Sequence, residues 1–297
     1  MAKPGLEDDF SRQRFNVTDI QQPSQAEAPL IGSTRPTAPS PATPAPRQIL
    51  LGVRLDPLTI EELNLLVKQV IQRGAQLLIG GHNLHSVYLF HHDPRMRSYF
   101  ERADVIRIDG MSLVLWGRLV GKRISRERRV TYLDWIKPLM KHAASEGWRV
   151  YYLGGKPGVA ARAAELLRRE VAGLNLDTHH GYFTETETPG ILDQIRQFQP
   201  QVLMVGMGMP RQEHWVMDHL DRLDVNVILT VGACFDYLAG AIPTPPRWMG
   251  RVGLEWLYRL VSEPRRLWKR YLLEPWSLLP IAFRDLLARR RGGGRAG

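Results

Sequence analysis

"ADVIRIDGMSLVLWGRLVGKR", residues 103–123, decides how this chain folds. Val105, Ile106 and Ile108 read as a strand buried on both faces, and Met111 to Val120 read as a helix with an apolar face. Asp109 stands at the junction with Gly110 directly behind it, so a buried strand ends in a carboxylate with almost no loop. A short apolar strand running straight into a helix is one step of a strand–helix repeat, and the flanking sequence repeats the step. Further strands are expected at 48–53 (QILLGV), 76–80 (QLLIG), 148–154 (WRVYYLG), 174–180 (LNLDTHH), 201–208 (QVLMVGMG) and 225–232 (VNVILTVG). Between the first two, Thr59 and Glu62 form a capping box ahead of an amphipathic run, and Gly74 suits the helix stop.

The strands are apolar runs rather than alternating ones, which is the signature of a parallel sheet covered on both faces. The expected fold is therefore α/β, a parallel-sheet sandwich of Rossmann-like type over residues 47–245. Residues 1–46 hold Pro36, Pro39, Pro41, Pro44 and Pro46 among Ala, Ser and Thr. Such a segment cannot offset its ordering entropy by burial and is expected to be a disordered tail. Residues 246–297 are expected to form a basic, aromatic, helical appendage. From Arg251 onward eleven Lys/Arg face four acids, a net +7 out of the chain's +10, with Trp256, Tyr258, Trp268, Tyr271 and Trp276 interleaved. The excess charge is local, and it favours an anionic partner.

The single cysteine, Cys234, excludes an intrachain disulfide and fits a reducing compartment. The first ten residues, MAKPGLEDDF, lack the apolar core of a signal peptide, and no apolar run approaches the roughly 20 residues that span a bilayer. A soluble protein, or one bound to a membrane without crossing it, is expected.

In open α/β sheets ligands bind at the carboxyl ends of the strands. Asp109 sits at such an end, where it can accept a proton from an attacking hydroxyl; the plainer alternative is an Asp that caps the next helix. Gly110 is expected to let the backbone turn sharply. Two glycine-rich turns point to the same crevice: "LGGKPGVA" (153–160), with Gly154 and Gly155, and "VGMGMPRQEHW" (205–215), with Gly206 and Gly208. Each leads into a helix, the second expected to begin at Pro210, and free N–H groups at a helix start suit a diphosphate. Tight chain reversal explains the first turn equally well. In the second, the helix dipole alone accounts for Glu213, whereas the Gln212 amide suits a sugar or base. Asp236 follows another strand end in "GACFDYLAG" (232–240). The histidines of "THHGYF" (178–183) should point to opposite faces of a strand, against a metal site. The chain has no D-x-D pair, so a diphosphate's charge would fall to arginines and helix ends.

In sequence order, "GHNLHSV", "DVIRIDGMSLVLWGRLVGK", "ERRVTYLDW", "YYLGGKPGVA", "THHGYF", "VGMGMPRQEHW" and "VGACFDYLAGAIPTPPRWMGRVGLEWLYRLVSEPRR" resemble the WecG/TagA/CpsF glycosyltransferase family over about residues 48–272. The resemblance implies a bacterial, metal-independent inverting transferase without a cofactor. It would move a sugar from a UDP donor to a polyprenyl-diphosphate-linked acceptor, at the cytoplasmic face of an anionic membrane, for teichoic acid linkage units, common antigen or exopolysaccharide. It implies Asp109 as the base, Asn83 and Gln212 as pocket residues, Arg129 (or Arg128 beside it) as the arginine of the E-R-V stretch, and Arg259, Arg266 and Lys269 as basic residues closing over the site. A homo-oligomer is compatible with it. Two positions depart from the family: Gly81 stands where Thr is usual and Tyr132 where Gly is usual. Both belong to the sugar's surroundings, which opens the donor to a hexose such as glucose beside N-acetylmannosamine.

Two readings from other classes compete. A nicotinamide-dependent oxidoreductase rests only on the loose fingerprint at 153–160. A nucleic-acid binder rests on the +10 charge, but no reading element accompanies it, so no nucleic-acid partner is expected.

Overall fold

The computed structural model describes residues 46–292; the expected tail, apart from Pro46, lies outside them. The chain opens with an antiparallel hairpin, β1 (Gln48–Leu50) and β2 (Val53–Leu55). The expected single strand at 48–53 is thus two short ones. Leu51 (φ 51°) and Gly52 (φ 72°) are both left-handed, the geometry of a two-residue hairpin turn whose twist matches the strands it joins. An apolar run such as LLGV hides such a turn.

A second, six-stranded sheet follows: β3 (Leu77–His82), β4 (Val105–Ile108), β5 (Arg149–Gly154), β6 (Asn175–His179), β7 (Val202–Gly206) and β8 (Val227–Thr230). Its order is β4-β3-β8-β7-β5-β6, and every pairing is parallel. Helices cover both faces, so the protein is an α/β sandwich with a parallel sheet, as the unbroken apolar strands require. One face packs helices Ile60–Gln72, Tyr132–Glu146 and Val159–Glu170 around the fully buried Trp135. The other packs Pro94–Arg102, Met111–Leu119, Thr188–Phe198 and Arg211–His219 together with the hairpin. The capping box at Thr59 is present, with its side chain and that of Glu62 each accepting the other's backbone N–H, and Gly74 follows the helix end at φ 64°.

Chain order within the sheet places the site. From β3 the chain steps outward to β4, while β5 to β6 runs to the opposite edge, and β7 and β8 fill the space between. The carboxyl ends of β3, β4, β7 and β8 therefore enclose one crevice.

After Pro246 the chain is almost entirely helical: Arg247–Val252, Glu255–Ser262, Pro264–Trp268, a π-turn at Lys269–Leu273, Glu274–Ser277 and Leu279–Gly292. This segment is tied to the sheet domain at several points. Leu267 and Leu278 are buried. Asp285 accepts hydrogen bonds from the Leu51 backbone (2.7 Å) and the Trp116 indole (3.1 Å). His85 and Glu274 meet at 2.6 Å. Among the described residues no helix is long and apolar enough to cross a membrane.

Candidate active site

A cavity of about 510 Å³ opens where the four strand ends meet, with the segment after Pro246 across it. Asp109 lies on its wall. Its backbone N–H bonds to the His82 carbonyl of β3 (2.9 Å), which fixes the carboxylate at the junction of two strands. It does not cap the following helix: Gly110 occupies that position, with no side-chain capping bond. Gly110 is not left-handed either (φ −97°). Its service is space, because a Cβ there would lie 3.2 Å from the Asn83 Cβ.

Both Asp109 oxygens are held. Arg107 Nη1 donates to Oδ1 (3.0 Å) and Asn83 Nδ2 to Oδ2 (3.2 Å). Burial works to raise the Asp109 pKa, but the charge and hydrogen bond of Arg107, helped by Asn83 and Arg129, outweigh it, and the carboxyl titrates below its ordinary value. It is an ionised acceptor at neutral pH. Asn83 also caps helix Leu84–His92, accepting from the Ser86 N–H. A single amide thus starts the helix and braces the carboxylate.

Gln212 and Glu213 are both only 2 % exposed. Gln212 Oε1 accepts the backbone N–H groups of Gly208 (3.2 Å) and Gly232 (3.0 Å), and its Nε2 donates to Glu213 (2.6 Å). The amide ties the turn after β7 to the turn after β8. Glu213 differs from the expected dipole-stabilised surface acid. It lines the cavity, and burial pushes its carboxyl up to about 7 against the opposing bonds from Gln212 and Thr230. The helix begins at Arg211, with Pro210 as the residue before it.

From the segment after Pro246, Arg259, Arg266 and Arg270 line the cavity. The Nε atoms of Arg259 and Arg270 are buried and have no hydrogen-bond partner among the described residues. Arg270 reaches Asn83 Oδ1 at 3.4 Å. Arg266 is exposed and forms two bonds of 2.7 Å with Glu263. Lys269 is outside: it is exposed, lies 5.7 Å from the Trp268 ring, and is not part of the cavity wall. Neighbouring residues on a helical turn point about 100° apart, and Arg270 is the one that faces in.

Other expected site residues lie off the cavity wall. Arg129 pairs with Glu255 (3.2 Å) and Asp134 (3.6 Å), linking the stretch beside β4 to the C-terminal helices. Arg128 turns away to Glu62 (3.0 Å) and the Pro57 carbonyl. Asp236 is half-buried, and burial raises its carboxyl. Of the glycines, Gly208 lines the cavity, whereas Gly154, Gly155 and Gly206 do not. A Cβ on Gly154 would run into the Gly206 carbonyl, and one on Gly206 into the Tyr152 hydroxyl. These glycines serve close approach of strand ends, the chain-reversal alternative. The rings of His179 and His180 are 4.4 Å apart rather than on opposite faces, because β6 ends at His179 and its alternation stops there. Among the described residues no three His, Cys, Asp or Glu side chains gather as a cation's ligands.

Sequence reasoning passed over Arg107, Glu213 and Arg270. Two of them carried a signal. Arg107 is two residues before Asp109 on a strand and so shares its face. Gln212 and Glu213 stand one turn before the buried Trp215 and Val216.

A carboxylate at a strand end, facing buried guanidinium groups across a cavity, suits deprotonation of a hydroxyl beside a departing anion. Residues 48–292 match the family model described as glycosyl transferase WecG/TagA/CpsF family.

Proposed function

The chain belongs to that family, glycosyltransferases of cell-surface polysaccharide synthesis, and from that premise we propose that it moves a hexose or N-acetylhexosamine from a UDP-sugar to a polyprenyl-diphosphate-linked acceptor, by direct inverting displacement and without a metal ion. Asp109 takes the proton of the acceptor hydroxyl as its oxygen attacks the anomeric carbon. The bond to the UDP oxygen breaks on the opposite side, and inversion follows. The negative charge that builds on the diphosphate meets Arg259 and Arg270, with Arg266 at the rim.

One observation carries this reading: an ionised carboxylate braced at the end of β4 shares its cavity with two guanidinium groups whose Nε atoms are buried and unpartnered. A buried cation without an anion is costly, and a bound diphosphate would relieve that cost. The test is UDP release in the presence of EDTA, with UDP-glucose, UDP-galactose and UDP-N-acetylmannosamine as donors and a short polyprenyl-diphosphate-sugar as acceptor. Turnover with one donor, undiminished by EDTA, is the expected result. A requirement for added divalent cation would overturn the metal-free mechanism, and UDP binding without turnover on any donor would overturn the choice of acceptor.

Membrane contact belongs to the same reading. The C-terminal helices expose Trp248 (58 %), Trp276 (68 %) and Phe283 (61 %) among arginines, the composition that inserts into an anionic leaflet. Flotation with phosphatidylglycerol vesicles is expected to retain the protein, and Trp276→Ser with Phe283→Ser is expected to release most of it at equal salt. Equal flotation of both proteins would dismiss these side chains as the contact.

A further inference from the structure

Arg107 has a setting that the transfer reaction does not by itself explain. It is a charged side chain in a strand whose residues are all buried, and it is only 2 % exposed. Its guanidinium lies 3.7 Å from the centre of the Tyr132 ring, and Nη1 donates both to the Val130 carbonyl and to Asp109 Oδ1. On its other side is Gly81 of β3, where an added Cβ would stand 2.9 Å from Arg107 Cζ and 3.0 Å from Nη2. The two departures noted in the sequence, Gly81 and Tyr132, thus meet on one guanidinium. The missing side chain at 81 makes room for it, and the aromatic ring at 132 supplies a face to rest on.

We propose that Arg107 is a positioning residue for the reaction: seated between Gly81 and Tyr132, it pins one oxygen of Asp109 and keeps the carboxylate ionised and aimed into the cavity. The inference rests on Asp109 acting as the base. The groups that face Asp109 are Arg107 from its own strand, Arg129 from the adjoining stretch, Tyr132 and Cys234 from the helices below the cavity, and Arg259 and Arg270 from above. Only Arg107 is bonded to the carboxylate with full charge, and burial of Asp109 acts in the opposite direction. Removing Arg107 therefore leaves burial less opposed, and the carboxyl titrates higher.

The experiment is a carbon-13 NMR titration of the full-length protein labelled at aspartate carboxyls, with the Asp109 signal identified by its loss in Asp109→Asn. In the parent protein Asp109 is expected to titrate below the free-aspartate value. Arg107→Met is expected to move its midpoint to higher pH, and Arg107→Lys to restore part of the change. Gly81→Ala keeps the arginine and only displaces it, so it is expected to shift the midpoint in the same direction; it serves as well if Arg107→Met fails to fold. An Asp109 midpoint unmoved in the folded variants would overturn the positioning role. UDP release is read on the same proteins. A shifted midpoint with normal turnover in Asp109→Asn would remove the base reading while leaving the electrostatic coupling in place. Loss of turnover in Asp109→Asn with no shift in Gly81→Ala or Arg107→Met would do the reverse. Where both hold, Arg107→Met is expected to lose about 10–100-fold in kcat, the scale of a misplaced catalytic group.

Discussion

Asp109→Asn is expected to lower turnover by about 10²–10⁴-fold, the usual contribution of a positioned base, with UDP affinity and the folding midpoint close to those of the parent. The substitution preserves shape. One oxygen remains to accept from Arg107, and what is lost is the capacity to take a proton. The pH dependence separates this base from its only carboxyl neighbour of comparable placement. Asp109 is held below the ordinary carboxylate range, so it is ionised throughout neutral pH, and an activity that depends on it falls only on the acid side. Its pairing with Arg107 contributes stability above the ordinary carboxyl pKa, and that contribution is lost as pH falls through the lowered value. Glu213 is pushed up to about 7, and a reaction using it as base would lose rate already on descending through neutrality. Normal turnover in Asp109→Asn together with an acid limb near 7 would transfer the role to Glu213. A large loss with a flat neutral profile keeps it with Asp109. UDP release on the productive donor, followed from mildly acidic to mildly basic pH, reads both.

The parts of this molecule that were legible in the sequence are those whose cause is local. Parallel strands covered on both faces must be apolar throughout, so β3, β4, β5, β7 and β8 stand out as unbroken runs, and the capping box at Thr59 announces its helix. The hairpin at Leu51 and Gly52 was not legible, because a left-handed leucine inside an apolar run leaves no compositional trace. Within the site, Asp109 was legible from strand-end position alone. Arg107 needed one further step, the two-residue period of a strand, which places a buried cation beside a buried acid. Glu213 needed the helical period, which sets it near Trp215 and Val216 instead of in water. Arg270 was beyond reach. Its bond to Asn83 spans 187 residues, and the π-turn at Lys269–Leu273 shifts the facing direction by a residue. No periodicity in the sequence marks that shift, so the inward residue reads as Lys269.

That arginine and its neighbour carry the second large effect. Replacing Arg259 and Arg270 together by methionine is expected to weaken UDP binding by about 10²-fold or more, since a hydrogen bond to a charged group contributes roughly 1.5–3 kcal/mol and tenfold corresponds to about 1.4. Uridine, which has no diphosphate, should bind the double variant and the parent alike. Stability is expected to move the other way. Burial lowers the Arg270 pKa, and nearby Arg259 adds to that lowering; burial works in the same sense on Arg259, although Tyr271, Tyr237 and Asp109 more than offset it. In the ligand-free protein these cations are desolvated without a full complement of partners, and apolar side chains of similar length remove that cost. The double variant should therefore melt no lower than the parent without ligand, and should lose most of the upward shift that UDP gives the parent. Calorimetric titration with UDP and with uridine, both in EDTA, and thermal melts with and without UDP make the comparison. Equal weakening of both ligands would mean that the arginines shape the cavity as a whole, and a lower ligand-free melting point would mean that their contacts with Tyr271 and Asn83 hold the C-terminal helices in place. Selective loss of UDP with an undiminished melting point identifies them as the cations on which the leaving diphosphate develops its charge.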